Sequence, residues 1–226
     1  MHGQVLWPKG RPIGLLVFLH GYASGPEYLK PYLGFFLEKG FAVFTPTAPD
    51  HGGRGTQTAY PTVEEPEALL AHASAVIEAW IHELAEQIPA WQKAEGLPLY
   101  AAGFSMGAYV WHELISRKLA RPVAAALFGM GAVPNVLPPE GVELPSARAH
   151  AYPPTALLQL HGKDDRVVPP RLVEETLAAL RPAYAGLPGR LGAVYLEGVG
   201  HAITPAMAAL AAGWLGTWGE DAKTTG

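Results

Sequence analysis

The 226-residue chain predicts an α/β fold: a mostly parallel sheet of at least six strands, flanked by helices on both faces. Three observations carry that expectation. Short apolar runs alternate along the chain with longer segments of helical periodicity, the pattern of strands joined through crossover helices. One of those runs passes directly into a serine flanked by glycines, and a helical pattern starts at once behind it. Finally, 49% hydrophobic residues together with 26 Gly and 22 Pro supply both a core and many tight connections.

The strands are expected at Ile13–Leu19, Phe41–Thr45, Leu97–Ala102, Val123–Phe128, Ala156–Leu160 and Leu191–Leu196. Each is apolar nearly throughout, as a strand covered on both faces must be. The clearest helix lies between the second and third. There Leu69, Leu70, Ala73, Val76, Ile77, Trp80, Ile81, Leu84 and Ile88 recur by threes and fours, with Glu78, Glu83 and Glu86 on the other side. Pro26–Lys39, Met106–Leu119, Pro170–Leu180 and Pro205–Trp214 complete the set, three of them opened by proline, whose fixed φ and missing N–H suit a first turn. Gly129 to Pro154 breaks the rhythm with six prolines and little periodicity, so it is either a solvated excursion or a short flap over a site.

Length and charge narrow the function classes. A chain of this size forms one domain, residues 1–226, and buries roughly 70% of its unfolded surface without disulfides or a structural metal. It has no cysteine, which excludes a thiol nucleophile, thiolate zinc sites and iron–sulfur clusters. The formal charge of −4 is spread without a basic block, so neither nucleic acid nor an anionic membrane is an expected partner. Met1 to Gly10 lack a basic start followed by an apolar run, so no signal peptide is expected and the location is taken as cytoplasmic.

The chemistry gathers at strand ends. The strand Leu97–Ala102 leads into Gly103-Phe104-Ser105-Met106-Gly107. A sharp strand-to-helix bend holds such a serine hydroxyl out at the carboxyl end of a sheet, and flanking glycines leave room for nearby backbone. Chance composition gives only roughly 0.07 such pentapeptides, before the strand and helix around it are required. A serine needs an imidazole to take its proton and a carboxylate to orient the imidazole. Downstream strand ends offer both: His161-Gly162-Lys163-Asp164-Asp165 after the fifth strand, and His201 in Gly198-Val199-Gly200-His201 after the sixth. The order Ser, Asp, His is that of one particular triad fold. His20-Gly21-Tyr22-Ala23-Ser24-Gly25 ends the first strand, where a loop can aim an amide at a developing oxyanion; the Tyr22 and Met106 N–H groups are the candidates. Among the other histidines, His72, His82 and His112 are expected solvated on outer helix faces, and His161 is expected to brace its loop.

The segments LHGYASG, GFSMG, HGKDDRVVP and GVGH, in that order and on those strand ends, resemble the α/β-hydrolase fold, specifically its small serine carboxylesterases. The resemblance runs from about Leu15 to the final helix. It implies Ser105 as nucleophile, Asp165 as acid and His201 as base, with no cofactor and no metal. Asp164 falls one position short of the family's acid. The stretch Ala48-Pro49-Asp50-His51-Gly52-Gly53-Arg54-Gly55 is similar to a loop that borders the site in compact esterases, where His51 either contacts substrate or braces the loop, bracing being favoured. A single His-Gly in place of HGGG argues against one lipase branch. No large lid is visible, which implies small or short-chain acyl esters as substrates. The same apparatus also suits thioesters or peptides, and a non-catalytic ligand-binding protein on this scaffold is the rival from another class.

Overall fold

Residues alternate along each central strand between two separate cores, and that alternation organises the molecule. In the computed structural model, which describes residues 3–55, 59–62, 64–134 and 143–219, Leu15, Val17 and Leu19 of β2 (Gly14–Leu19) face one core while Leu16 and Phe18 face the other. The remaining strands are β1 (Gly3–Leu6), β3 (Phe41–Pro46), β4 (Leu99–Phe104), β5 (Ala124–Phe128), β6 (Ala156–Gly162) and β7 (Leu191–Leu196). They form one sheet in the order β1-β3-β2-β4-β5-β6-β7, parallel except for β1, which pairs antiparallel with β3. β1 was not anticipated. It is a four-residue edge strand containing Gly3 and Gln4 and is half exposed, too short and polar to stand out.

Helices α2 (Pro66–Glu95), α3 (Met106–Ser116) and α4 (Pro170–Leu180) cover one face, and α1 (Lys30–Glu38) and α5 (Pro205–Gly216) the other. In α2 the expected stripe is buried at Val76, Trp80, Ile81, Leu84 and Ile88. Pro89 lies inside the helix without ending it; Gly96 ends it, at φ 61, returning its N–H to the Gln92 carbonyl. Trp111 of α3 ties helix to sheet by donating its indole N–H to the Ala102 carbonyl at 2.9 Å.

Sequence order places β3 on one side of β2 and β4 on the other, so the loops after β2 and β4 diverge and leave a crevice at the carboxyl edge. Ligands in open α/β sheets bind at such a switch point. Register sets Leu19 against Gly103, which brings the ends of β2 and β4 level.

The segment after β5 is only partly a solvated excursion. Residues 135–142 fall outside the described set, but Tyr152 is fully buried, and a short 3-10 turn at Pro145–Ala151 packs on α3. Arg148 there reaches the buried Glu113 carboxylate at 2.7 Å, and Arg117 reaches the same oxygen at 2.8 Å while also gripping Glu78 of α2. Among the described residues no helical insertion of lid size stands over the sheet, and no helix is long and apolar enough to cross a membrane.

Candidate active site

Ser105 occupies the turn between β4 and α3 at φ 52 and ψ −116, a region that a residue with a side chain adopts only under constraint. Its N–H donates to the Phe128 carbonyl of β5 at 2.8 Å. The two flanking glycines are required by space. A Cβ on Gly103 would stand 2.5 Å from the Gly107 carbonyl oxygen, and one on Gly107 would stand 2.5 Å from the Leu19 carbonyl oxygen. The elbow is thus pressed against the end of β2.

His201 follows β7, and its Nε2 lies 2.9 Å from Ser105 Oγ. Its Nδ1 lies 2.7 Å from Asp165 Oδ2. A carboxylate can only accept, so Nδ1 carries the hydrogen and Nε2 is left to accept from the serine hydroxyl. The other oxygen of Asp165 accepts the Val167 and Val168 N–H groups at 2.9 and 2.8 Å. Burial alone would raise the Asp165 pKa, but the bonds from His201 and Val168 outweigh it and hold the carboxyl below its ordinary value. Asp164 is exposed, and among the described residues its recorded bond is a backbone one, its N–H donating to the Val199 carbonyl. Gly129, at φ 66, lets His201 come close: a Cβ there would meet His201 Cε1 at 3.3 Å.

Met106 opens α3, so its N–H is one of those a helix start leaves without an intrahelical acceptor. Tyr22 sits in the loop after β2, and Tyr22, Ser105, Met106 and His201 all border one cleft of about 490 Å³. The cleft wall is overwhelmingly apolar: Leu69, Leu70, Ala73 and Ile77 of α2 face Tyr109, Met130 and Val167. No described residue on it carries a formal charge apart from His201 when protonated.

His51 does not line the cleft. It is fully buried, donates from Nδ1 to the Pro49 carbonyl and accepts the Ala23 N–H at Nε2. His161 braces its loop through the Val168 carbonyl at 2.8 Å. Two histidines depart from expectation. His112 is wholly buried rather than solvated, because α3 is covered on all sides; it sits between Tyr152 Oη and the Gln159 side-chain amide, at 2.9 and 2.8 Å. Burial pushes its pKa down to about 3. His72 is half-buried, held between Tyr22 Oη at 2.7 Å and Asp50 Oδ2 at 3.0 Å. The turn that carries it faces the loops after β2 and β3, which the periodicity of α2 alone does not reveal. His82 is exposed, as expected. Among the described residues no three His, Asp or Glu side chains stand where they could hold a metal.

Comparison with known proteins agrees with this architecture. The chain is 33% identical to TT1662 from Thermus thermophilus, whose solved structure superposes with a TM-score of 0.84 over 96% of this chain and 93% of that one. The chain belongs to the α/β-hydrolase family. No family model matches this hydrolase. It is 24% identical to YitV of Bacillus subtilis (strain 168), a protein named provisionally as an esterase, across 93% of this chain and 91% of that protein. Zea mays acyl-protein thioesterase 2 shares the fold at a TM-score of 0.67 and 20% identity, over 96% and 99% of the two chains.

Proposed function

We propose that this hydrolase cleaves carboxylic esters through an acyl-enzyme on Ser105. The observation that carries the reading is the unbroken hydrogen-bonded line from Ser105 Oγ through His201 to Asp165, with the serine on a strained elbow facing an apolar cleft. His201 Nε2 takes the hydroxyl proton as Oγ attacks the acyl carbonyl, and Asp165 stabilises the imidazolium that forms. The Tyr22 and Met106 amides receive the oxyanion. His201 then returns the proton to the leaving alcohol, activates water in the second half-reaction, and frees the acid. No metal or cofactor enters these steps.

The cleft supports a neutral substrate. Among the described residues the wall carries no Lys, Arg, Asp or Glu to partner a charged acyl group, and burying an unpaired charge there is costly. Its 490 Å³ lies in the lower part of the roughly 300–1,000 Å³ range of small-molecule sites. We therefore assign short to medium apolar acyl esters, from acetyl to about hexanoyl, over long chains, each buried methylene being worth ~0.8 kcal/mol until the cleft is filled. The names of the esterase and thioesterase relatives support acyl transfer to water, and thioesters fit the same apparatus. The proposal takes residues 1–226 as one catalytic domain working in the cytoplasm.

Ser105→Ala tests the reading with p-nitrophenyl butyrate. The variant should fold and lose all but about 10³-fold over the uncatalysed rate. Turnover near the parent's, in protein freed of contaminating esterase, would sink the assignment.

A further inference from the structure

We infer that His51 is a positioning residue of the oxyanion hole, acting through the Ala23 amide to fix the Tyr22 peptide. The inference rests on the reading of Ser105, Tyr22 and Met106 given above, and extends it to a residue that never touches substrate.

The loop after β2 is strained where it matters. Ala23, the residue after Tyr22, adopts φ 53, a left-handed conformation that alanine does not take without support. Such backbone persists only where its surroundings over-determine it. The Ala23 N–H is held at 3.0 Å by His51 Nε2. His51 can serve as that acceptor because its Nδ1 hydrogen is committed to the Pro49 carbonyl at 2.9 Å, which fixes the tautomer. Burial disfavours the charged form that would abolish the acceptor, and lowers the pKa.

The tie is reciprocal. His20, on the strained loop itself, accepts the Ala48 N–H at 3.0 Å from the loop after β3, so each loop lends an imidazole to an amide of the other. The far end of Tyr22 is anchored as well, its hydroxyl donating to His72 Nδ1 while His72 Nε2 donates to Asp50. The His51 bond falls on the peptide that follows the proposed oxyanion donor, while the carbonyl of the donor's own peptide, Gly21, is held from within the loop by His20 Nδ1 at 2.8 Å and Ser24 Oγ at 2.9 Å. An oxyanion donor must stand within roughly 2.7–3.1 Å of an atom that carries full charge only in the transition state, so a small loss of placement acts on rate more than on binding.

Two variants separate the acceptor from the rest of the ring. His51→Asn keeps a donor near Nδ1 for Pro49 and loses the atom that reaches Ala23. His51→Gln keeps an acceptor near Nε2. Each is assayed for ester turnover, for thermal stability, and for affinity toward an arylboronic acid, which adds to the serine as a tetrahedral anion. His51→Asn should lose about 10–100-fold in kcat and a similar factor in boronate affinity, with KM within about threefold. His51→Gln should recover most of both. The inference is overturned if folded His51→Asn matches the parent in kcat and boronate affinity, or if Asn and Gln are equally impaired. Should His51→Asn fail to fold, a His51→Gln enzyme that folds but has lost boronate affinity would overturn it equally. The parent serves as the check on the underlying reading: if it neither turns over ester nor takes up one fluorophosphonate on Ser105, the serine-hydrolase reading falls first. If it does both, the variants bear on His51 alone.

Discussion

Asp165→Asn isolates what the carboxylate contributes beyond holding a loop. One oxygen of Asp165 is fixed by the Val167 and Val168 N–H groups, which only an oxygen can accept. The asparagine therefore presents its NH2 to His201. Nδ1 must then accept, the ring hydrogen moves to Nε2, and that hydrogen faces Ser105 Oγ where a lone pair is needed. Restoring the catalytic tautomer would set the Nδ1 hydrogen against that NH2, two donors opposed in a buried site, at about 1–3 kcal/mol. The imidazolium formed on attack also loses a full charge at close range, worth about 4 kcal/mol at an effective dielectric of 20. At ~1.36 kcal/mol per decade, the two effects together, about 5–7 kcal/mol, place the loss at or above about 10⁴ in kcat, the upper end of the range for such a change. Folding should be nearly unaffected, because both backbone bonds survive. Asp164→Asn, on an exposed side chain, should cost less than about tenfold, its ordinary role being that of a solvated turn residue. Steady-state kcat and a thermal melt on both variants decide the matter. If Asp164→Asn is the crippled enzyme, or Asp165→Asn stays within tenfold of the parent, the role given to Asp165 is wrong.

Acid should destabilise the fold well above the carboxylate range. Burial holds His20 at about 4 and His112 at about 3, against an ordinary 6.5, so below pH 6.5 the unfolded chain binds protons that the fold refuses, and stability falls as pH falls. Two such groups give a slope of roughly 2–3 kcal/mol per pH unit near pH 5; urea midpoints unchanged between pH 7 and 5 would contradict it. Gly107→Ala should cost about 1–3 kcal/mol and lower kcat by 10-fold or more, since its Cβ must push the end of β2, and the Tyr22 loop with it, away from Ser105. Gly213→Ala, in α5 with open space around the new methyl, should instead stabilise by about 0.5–1 kcal/mol, and calorimetry compares the two. Across p-nitrophenyl esters, kcat/KM should rise by up to about fourfold per methylene from acetyl toward hexanoyl and then fall, and an ω-carboxylated ester should be poor. A steady rise to palmitoyl would contradict the assigned acyl size.

The strand ends were legible because each announced itself twice, by an apolar run and by the glycine-rich turn that follows it. The six anticipated strands are present, each with both ends within two residues of expectation, and Gly103, Gly107 and Gly129 occupy positions where a side chain would collide or where φ is positive. What periodicity could not show is which partner an apolar stripe meets. The stripe of α2 is one pattern from Leu69 to Ile88, yet its first turns wall the cleft while the rest pack on the sheet. His72 and His112 show the same limit in reverse: both sit at helical positions read as outward, but loops and the 145–152 segment, invisible to a helical period, pack over them. The reciprocal histidine tie between two loops has no local signal at all, since its partners lie 28 residues apart.

Rapid-quench mass spectrometry of the intact parent enzyme mixed with p-nitrophenyl acetate reads the acyl-enzyme on Ser105 itself. A transient adduct of one acyl group per chain, mapped to Ser105, should appear with the first burst of p-nitrophenol and be absent from Ser105→Ala. Full ester turnover without that adduct, or an adduct on any other residue, would contradict the role of Ser105.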